Sequence, residues 1–175
     1  MKEFLSEENI EFHSEYVRMK RLKYSIFESS FPKLSDAKFT DIIQSKLSRC
    51  DKQEALELLS DISIHDVYFS SYSTCKFAHS SIVSELYGSE ARLLNEIYEC
   101  GMRLQHGFVS VYFQRGRIVV RSFVDPIDAM RFATPILAID VCEHAYFLDY
   151  GFDKERYLIA SLPYLNIAKF STQTT

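Results

Sequence analysis

The sequence predicts an α+β protein in which an N-terminal helical hairpin lobe is followed by a lobe with a three-stranded antiparallel sheet and helices. Three observations lead there. Apolar residues recur at three- and four-residue spacing over most of the chain up to Leu104. The period changes to two after Gly107, where the runs Phe108–Phe113 and Ile118–Phe123 flank the tight-turn signal Gln114-Arg115-Gly116-Arg117. A third run, Pro135–Asp140, supplies the remaining strand, and helices on either side of one small sheet define the class. The break at Gly88 divides the chain into a helical hairpin domain, residues 1–87, and an α/β C-terminal domain, residues 88–175.

Each element has its own signals. Ser6 is a helix cap with Glu7 and Glu8 in the first turn, where acidic groups favour the helix dipole. The helix should run to about Ser30, with Ile10, Phe12, Tyr16, Val17, Tyr24 and Phe27 near helical spacing and His13 on the side of Val17. Pro32 and a Ser35-Asp36 cap separate it from a segment at 37–47 striped by Phe39, Ile42, Ile43 and Leu47. A short helix is expected over 51–60, with Ala55, Leu56, Leu58 and Leu59 inward. A long one is expected over 63–87, although Ile64, Val67, Tyr68 and Phe69 are weaker helix formers. His65, beside Asp66 in a polar-looking stretch, reads as a surface or capping residue. Ser89 caps a helix to about Leu104, with Leu93, Leu94, Ile97, Tyr98 and Met102 at three- and four-residue spacing.

Composition narrows the function. The 175 residues are 47% apolar and 25% charged, ordinary for a globular protein able to bury one sizeable core. A net charge of −4 provides no polycation for phosphates, and the densest basic run, Arg18–Lys23, fits the solvated face of a helix, so no nucleic-acid partner is expected. No stretch approaches the roughly 20 apolar residues of a membrane helix, so no membrane role is expected either. Cys50, Cys75, Cys100 and Cys142 are scattered without a Cys-x-x-Cys pair, which fits reduced thiols. The N-terminus lacks a long apolar stretch and is too acidic for a transit peptide, so the expected location is cytoplasmic.

The chemistry concentrates at the third strand. A short apolar run delivers the Asp140 carboxylate at its far end, and His144 follows four residues later among aromatic and aliphatic neighbours. A carboxylate at the edge of a buried run needs a salt bridge, a dense hydrogen-bond cluster or a metal ion, because burying it alone costs several kcal/mol. Asp with neutral His suits a borderline or hard transition metal, but Asp-x-x-x-His is more often a structural pair.

The wording around that pair is more specific. Asp140-Val141-Cys142-Glu143-His144-Ala145-Tyr146-Phe147 resembles the signature of the iron/manganese superoxide dismutase family, Asp-Val-Trp-Glu-His-Ala-Tyr-Tyr, departing at Cys142 and Phe147. Tyr157-Leu158 and Asn166 also fall where that family carries a Tyr-Leu and an Asn. Leu5–His13 is similar to its first-helix phrase, which ends on a metal-ligand His. The resemblance is dense over 131–170, shorter over 5–13 and thin over 31–87. It implies the two-lobed α+β architecture and one Fe or Mn ion per chain, held by His13, His79, Asp140 and His144. His79 takes its place by position on the expected long helix, since the letters around it match poorly. Zinc also accepts imidazole and carboxylate.

Around those ligands the family's pattern is altered. Val17 and Arg21 stand where it has a His and a funnel-guarding Tyr, and Phe108 and Cys142 where it has Trp. Cys75 and Val124 occupy the two alternative origins of its Gln. Changes to such partners commonly cost about ten- to a hundredfold in affinity or activity. Glu143 is retained, and in the family it reaches across a two-fold interface, which implies a homodimer; the interface His and Tyr are replaced together by Val17 and Phe147. The expected function is superoxide disproportionation at a mononuclear metal centre, with superoxide as substrate. A dismutase-like metal-binding or interaction protein without that activity, and a different redox reaction in an opened pocket, stand beside it.

Overall fold

The protein is described by a computed structural model covering residues 1–34, 37–76 and 79–172. Helix α1, Glu7–Ser30, begins where Ser6 accepts the Asn9 N–H at 3.1 Å and buries Asn9, His13, Val17, Tyr24 and Phe27 along one face. After a 3₁₀ turn at Pro32–Leu34 come α2, Phe39–Gln44, and α3, Arg49–Ser70, the latter capped by Ser48. The expected Ser35-Asp36 cap lies outside the described residues. The hairpin of α1 and α3 packs through Tyr24, Phe27, Leu56, Leu58 and Ile62, joined by Ile42 of α2.

The second half of this hairpin departs from the sequence expectation. A break was expected between 60 and 63, yet α3 runs through it without interruption. Ser60 is fully buried and turns its hydroxyl back to the Leu56 carbonyl, one helical turn earlier, so it needs no cap. The helix ends at 70 instead of continuing to 87. There Ser70 and Ser71 both donate to the Val67 carbonyl, at 2.9 and 2.7 Å, and the backbone leaves the helical path. Tyr72 then bridges Leu165, with Ser73 N–H on the Tyr164 carbonyl at 2.8 Å and Asn166 N–H on the Ser71 carbonyl at 2.8 Å. Tertiary hydrogen bonds thus replace the helical ones the local sequence was free to make. Among the described residues helix resumes as α4, Ser81–Tyr87.

Helix α5, Glu90–Arg103, is capped by Ser89 and leads to the sheet. Strands β1, Phe108–Gln114, and β2, Arg117–Phe123, form an antiparallel hairpin whose turn residues Arg115 and Gly116 have φ of 50° and 72°, the two positive values of a type I′ turn. Helix α6, Pro126–Phe132, crosses to β3, Leu137–Asp140, which pairs antiparallel with the other edge of β1 to give the order β2-β1-β3. Phe108 at the start of β1 therefore faces both Phe123 and Asp140. Gly107 is required just before it: its φ is 120°, and a Cβ there would meet the Phe123 carbonyl oxygen at 2.2 Å.

A 3₁₀ turn at Glu143–Ala145 and helices α7, Phe147–Tyr150, and α8, Lys154–Ser161, close the chain, followed by 3₁₀ turns at Leu162–Tyr164 and Ile167–Thr172. The main core joins α3, α5, all three strands and this C-terminal segment through residues such as Tyr68, Ile97, Val109, Ile139 and Leu158. Asp140 and the inner faces of α1 and α3 meet at its border. Among the described residues no helix is long and apolar enough to cross a membrane.

Candidate metal centre

Asp140 is delivered by the sheet. It ends β3 with no solvent exposure, and its Oδ1 accepts the Cys142 N–H at 2.8 Å, which turns the chain sharply and leaves Oδ2 free. Gly107 fixes the same bend from β1, its carbonyl accepting the Val141 N–H at 2.9 Å. The 3₁₀ turn then brings His144 back over the carboxylate. Asn9 on α1 holds that turn: its amide donates to the Ala145 carbonyl at 2.6 Å and its carbonyl oxygen accepts the Leu148 N–H at 3.3 Å. One turn along α1, the same anchoring presents His13, and α3 presents His65 from the opposite side.

Three imidazoles converge on one oxygen. The Nε2 atoms of His13, His65 and His144 lie 3.3, 3.4 and 3.0 Å from Asp140 Oδ2, and those of His65 and His144 are 3.4 Å apart. One atom from each of the four residues lies within 4.8 Å of every other. Ions of this class hold imidazole and carboxylate at about 2.0–2.2 Å, so the span is close to the diameter of one coordination sphere. Despite the short approaches, Asp140 Oδ2 and both nitrogens of His13 are buried without a hydrogen-bond partner among the described residues. A carboxylate oxygen and an imidazole are rarely left so in a core unless a cation takes the place of the missing donors. The residues present fit a metal ion.

The electrostatics agree. Burial would push the Asp140 carboxyl up, but His13, His144 and His65 outweigh it and hold it well below the usual range. Burial also pushes His65 down, yet Asp140 and Asp61 reverse this and raise it to about 10. For His13 burial wins over Asp140, and its imidazole is held down. The site is thus an ionised carboxylate amid imidazoles competing for one positive charge. His13, His65 and Asp140 are sealed, His13 against Tyr68 and Phe69 and His65 against Phe108, while the His144 side chain keeps 24% exposure beneath the stacked ring of Tyr16, 4.5 Å away.

The structure brings His13, Asp140 and His144 together, and it is His65, not His79, that stands beside them. His79 does not reach the cluster. With α3 ending at Ser70, His79 falls in the segment before α4, largely exposed, with Nδ1 2.7 Å from Glu90 Oε1. His65, read from sequence as a surface residue, occupies the remaining corner, its side chain 1% exposed. A signal was present: Leu58, Ile62, His65 and Phe69 follow one another at four, three and four residues, which on an unbroken helix makes a single inward face. One helical turn before His65 stands Asp61, where one turn before His79 stands Cys75.

The surrounding residues are arranged as follows. Arg21 pairs with Asp66 on the surface. The ring of Phe108 meets His65 edge-on at 5.2 Å. The Cys142 sulfur accepts the Gly107 N–H at 3.2 Å, and burial, reinforced by Asp140, pushes its thiol up. Glu143 is exposed, Val17 is in the core and Phe147 is exposed beside Phe152.

The profile of the iron/manganese superoxide dismutases, C-terminal domain, matches residues 76–173, more than half of the chain. A protein of Cupriavidus metallidurans named as an iron superoxide dismutase is 28% identical over 129 residues, covering 70% of this chain and 66% of its own length. The chain belongs to the iron/manganese superoxide dismutase family, with the α+β fold described above and a His/Asp group that could hold a metal.

Proposed function

We propose that this protein is a superoxide dismutase that holds one iron or manganese ion through Nε2 of His13, His65 and His144 and Oδ2 of Asp140. The observation carrying the reading is the convergence of three imidazole nitrogens on a buried carboxylate oxygen that has no hydrogen-bond partner among the described residues. Such an ion, when bound, supplies one-electron chemistry by cycling between the divalent and trivalent states. Two superoxide anions and two protons then give dioxygen and hydrogen peroxide.

The chain's own residues supply the setting. Asp140 offsets one unit of the ion's charge, and the three neutral imidazoles leave the remainder to attract a small anion. Tyr68, Phe69 and Phe108 keep water from the buried side, so access is from the His144 side, past the half-buried ring of Tyr16. The Tyr16 hydroxyl retains its proton, because burial and the neighbouring Asp61 raise its pKa, and it donates to Asp61 Oδ2 at 3.1 Å.

Elemental analysis of the isolated protein followed by a superoxide assay tests the proposal. About one iron or manganese per chain with activity above that of the free ion supports it. Bound metal without activity would overturn the enzymatic part and leave a metal-binding relative of the dismutases. No bound metal would overturn both. Exposed Glu143, with exposed Phe12 and Leu148 lining one shallow groove, supports a homodimer; a monomeric mass by light scattering at micromolar concentration would refute it. Four free cysteines support a reducing, cytoplasmic setting, which localisation of the tagged chain checks.

A further inference from the structure

Behind His65 lies a second charged group that the metal-site reading does not use. Asp61, one helical turn earlier on α3, is only 7% exposed. Its Oδ2 takes the Lys20 ammonium at 2.6 Å and the Tyr16 hydroxyl at 3.1 Å, both from α1, while Oδ1 lies 3.1 Å from His65 Nδ1. His65 Nδ1 is closer still to the Asp61 backbone carbonyl, at 2.6 Å. The hydrogen on Nδ1 is thus shared by two acceptors of one residue, which fixes Nε2 as the atom facing Asp140. The carbonyl alone would be enough to fix that orientation. The carboxylate adds charge, and Lys20 stands directly behind it with the opposite sign.

Stability does not account for this arrangement well. Burying an ion pair is close to neutral or unfavourable compared with an apolar contact, and the hairpin of α1 and α3 already has an apolar core. Its effect on the imidazole is direct. A negative group on the remote nitrogen of a ligating His makes the near nitrogen a stronger donor, and a more strongly donating ligand favours the more highly charged ion. A cation drawing on that same carboxylate does the reverse.

We infer that Asp61 and Lys20 are positioning residues that set, with opposite signs, how far the site prefers a trivalent over a divalent ion. The inference rests on the metal-site reading above. Partners of this kind change metal affinity by about ten- to a hundredfold. A tenfold change in the ratio of trivalent to divalent affinity corresponds to about 59 mV in the midpoint potential of a one-electron couple.

The test is a spectroelectrochemical titration of the iron-loaded protein in wild type, Asp61→Asn, Lys20→Met and the double variant. Asp61→Asn should raise the potential by at least about 59 mV, a tenfold loss of trivalent preference. Lys20→Met should lower it, and the double variant should fall between the two. A role confined to tethering α1 to α3 lowers thermal stability in both single variants and leaves the potentials alone. Unmoved potentials, or shifts of the same sign, overturn the inference. If Asp61→Asn does not fold, Lys20→Met decides: a lowered potential supports the inference, and an unchanged or raised one refutes it. Wild-type protein that takes up no stoichiometric iron overturns the metal-site reading and this inference together, whereas bound iron with unmoved potentials overturns this one alone.

Discussion

Replacing His65 by Ala and, separately, His79 by Ala separates the site the structure displays from the one that linear spacing favoured. His65 is sealed between Asp140 and Asp61, with one ring nitrogen facing each carboxylate. Removing it deletes one of four converging donors and leaves two buried carboxylates without their shared partner. Loss of a mere supporting partner costs about ten- to a hundredfold in metal affinity, so loss of a donor should cost at least a hundredfold, or about 2.8 kcal/mol at roughly 1.4 kcal/mol per tenfold. The metal-free protein should lose about 3–5 kcal/mol, the usual penalty for breaking a buried charged pair. His79 is exposed and pairs with Glu90 at the surface, so its removal should cost less than about 1 kcal/mol and leave metal content unchanged. Metal per chain after dialysis against a chelator, together with urea unfolding of the metal-free forms, measures both quantities. A His79→Ala protein that loses its metal while His65→Ala keeps it would refute the assignment and the helix boundary beneath it.

Two further outcomes are expected. The metal-free protein should be most stable near pH 6.5. His65, raised from 6.5 to about 10, contributes stability that is complete below 6.5 and lost as pH rises through about 10. His13, held down by burial, contributes stability present above 6.5 and lost as pH falls below it, and Asp140, held below 3.8, adds a further loss in acid. A bound cation takes the place of the His65 proton, so the alkaline decline should vanish on loading; a flat profile from pH 6.5 to 10 in the metal-free form would contradict the cluster electrostatics. Asn9→Ala should cost about 1–3 kcal/mol by stranding the buried Ala145 carbonyl, and should speed metal release by loosening the turn that carries His144. Unchanged unfolding and release rates would show that Asn9 does not hold that turn.

The parts of this protein governed by short-range chemistry can be read along the chain. The Ser6 cap starts α1, Ser89 starts α5, and Arg115-Gly116 between two alternating runs makes the β1–β2 hairpin, because each depends on residues within a few positions of one another. The wording from Asp140 to Tyr146 likewise carried the family, and with it the convergence of His13, Asp140 and His144. What the chain could not show locally was where α3 ends. Residues 70–76 have no strong breaker, and they leave the helix because Tyr72 finds Leu165, more than ninety positions away, and the backbone of Ser71 and Ser73 pairs with Asn166 and Tyr164. That one boundary decides which histidine is inward: a helix through residue 79 would favour His79, and a helix from Arg49 to Ser70 turns His65 to Asp140 and sets Asp61 behind it. Backbone groups must find partners wherever they can, and when those partners come from the far end of the chain only the folded structure says which side chain they leave facing the site.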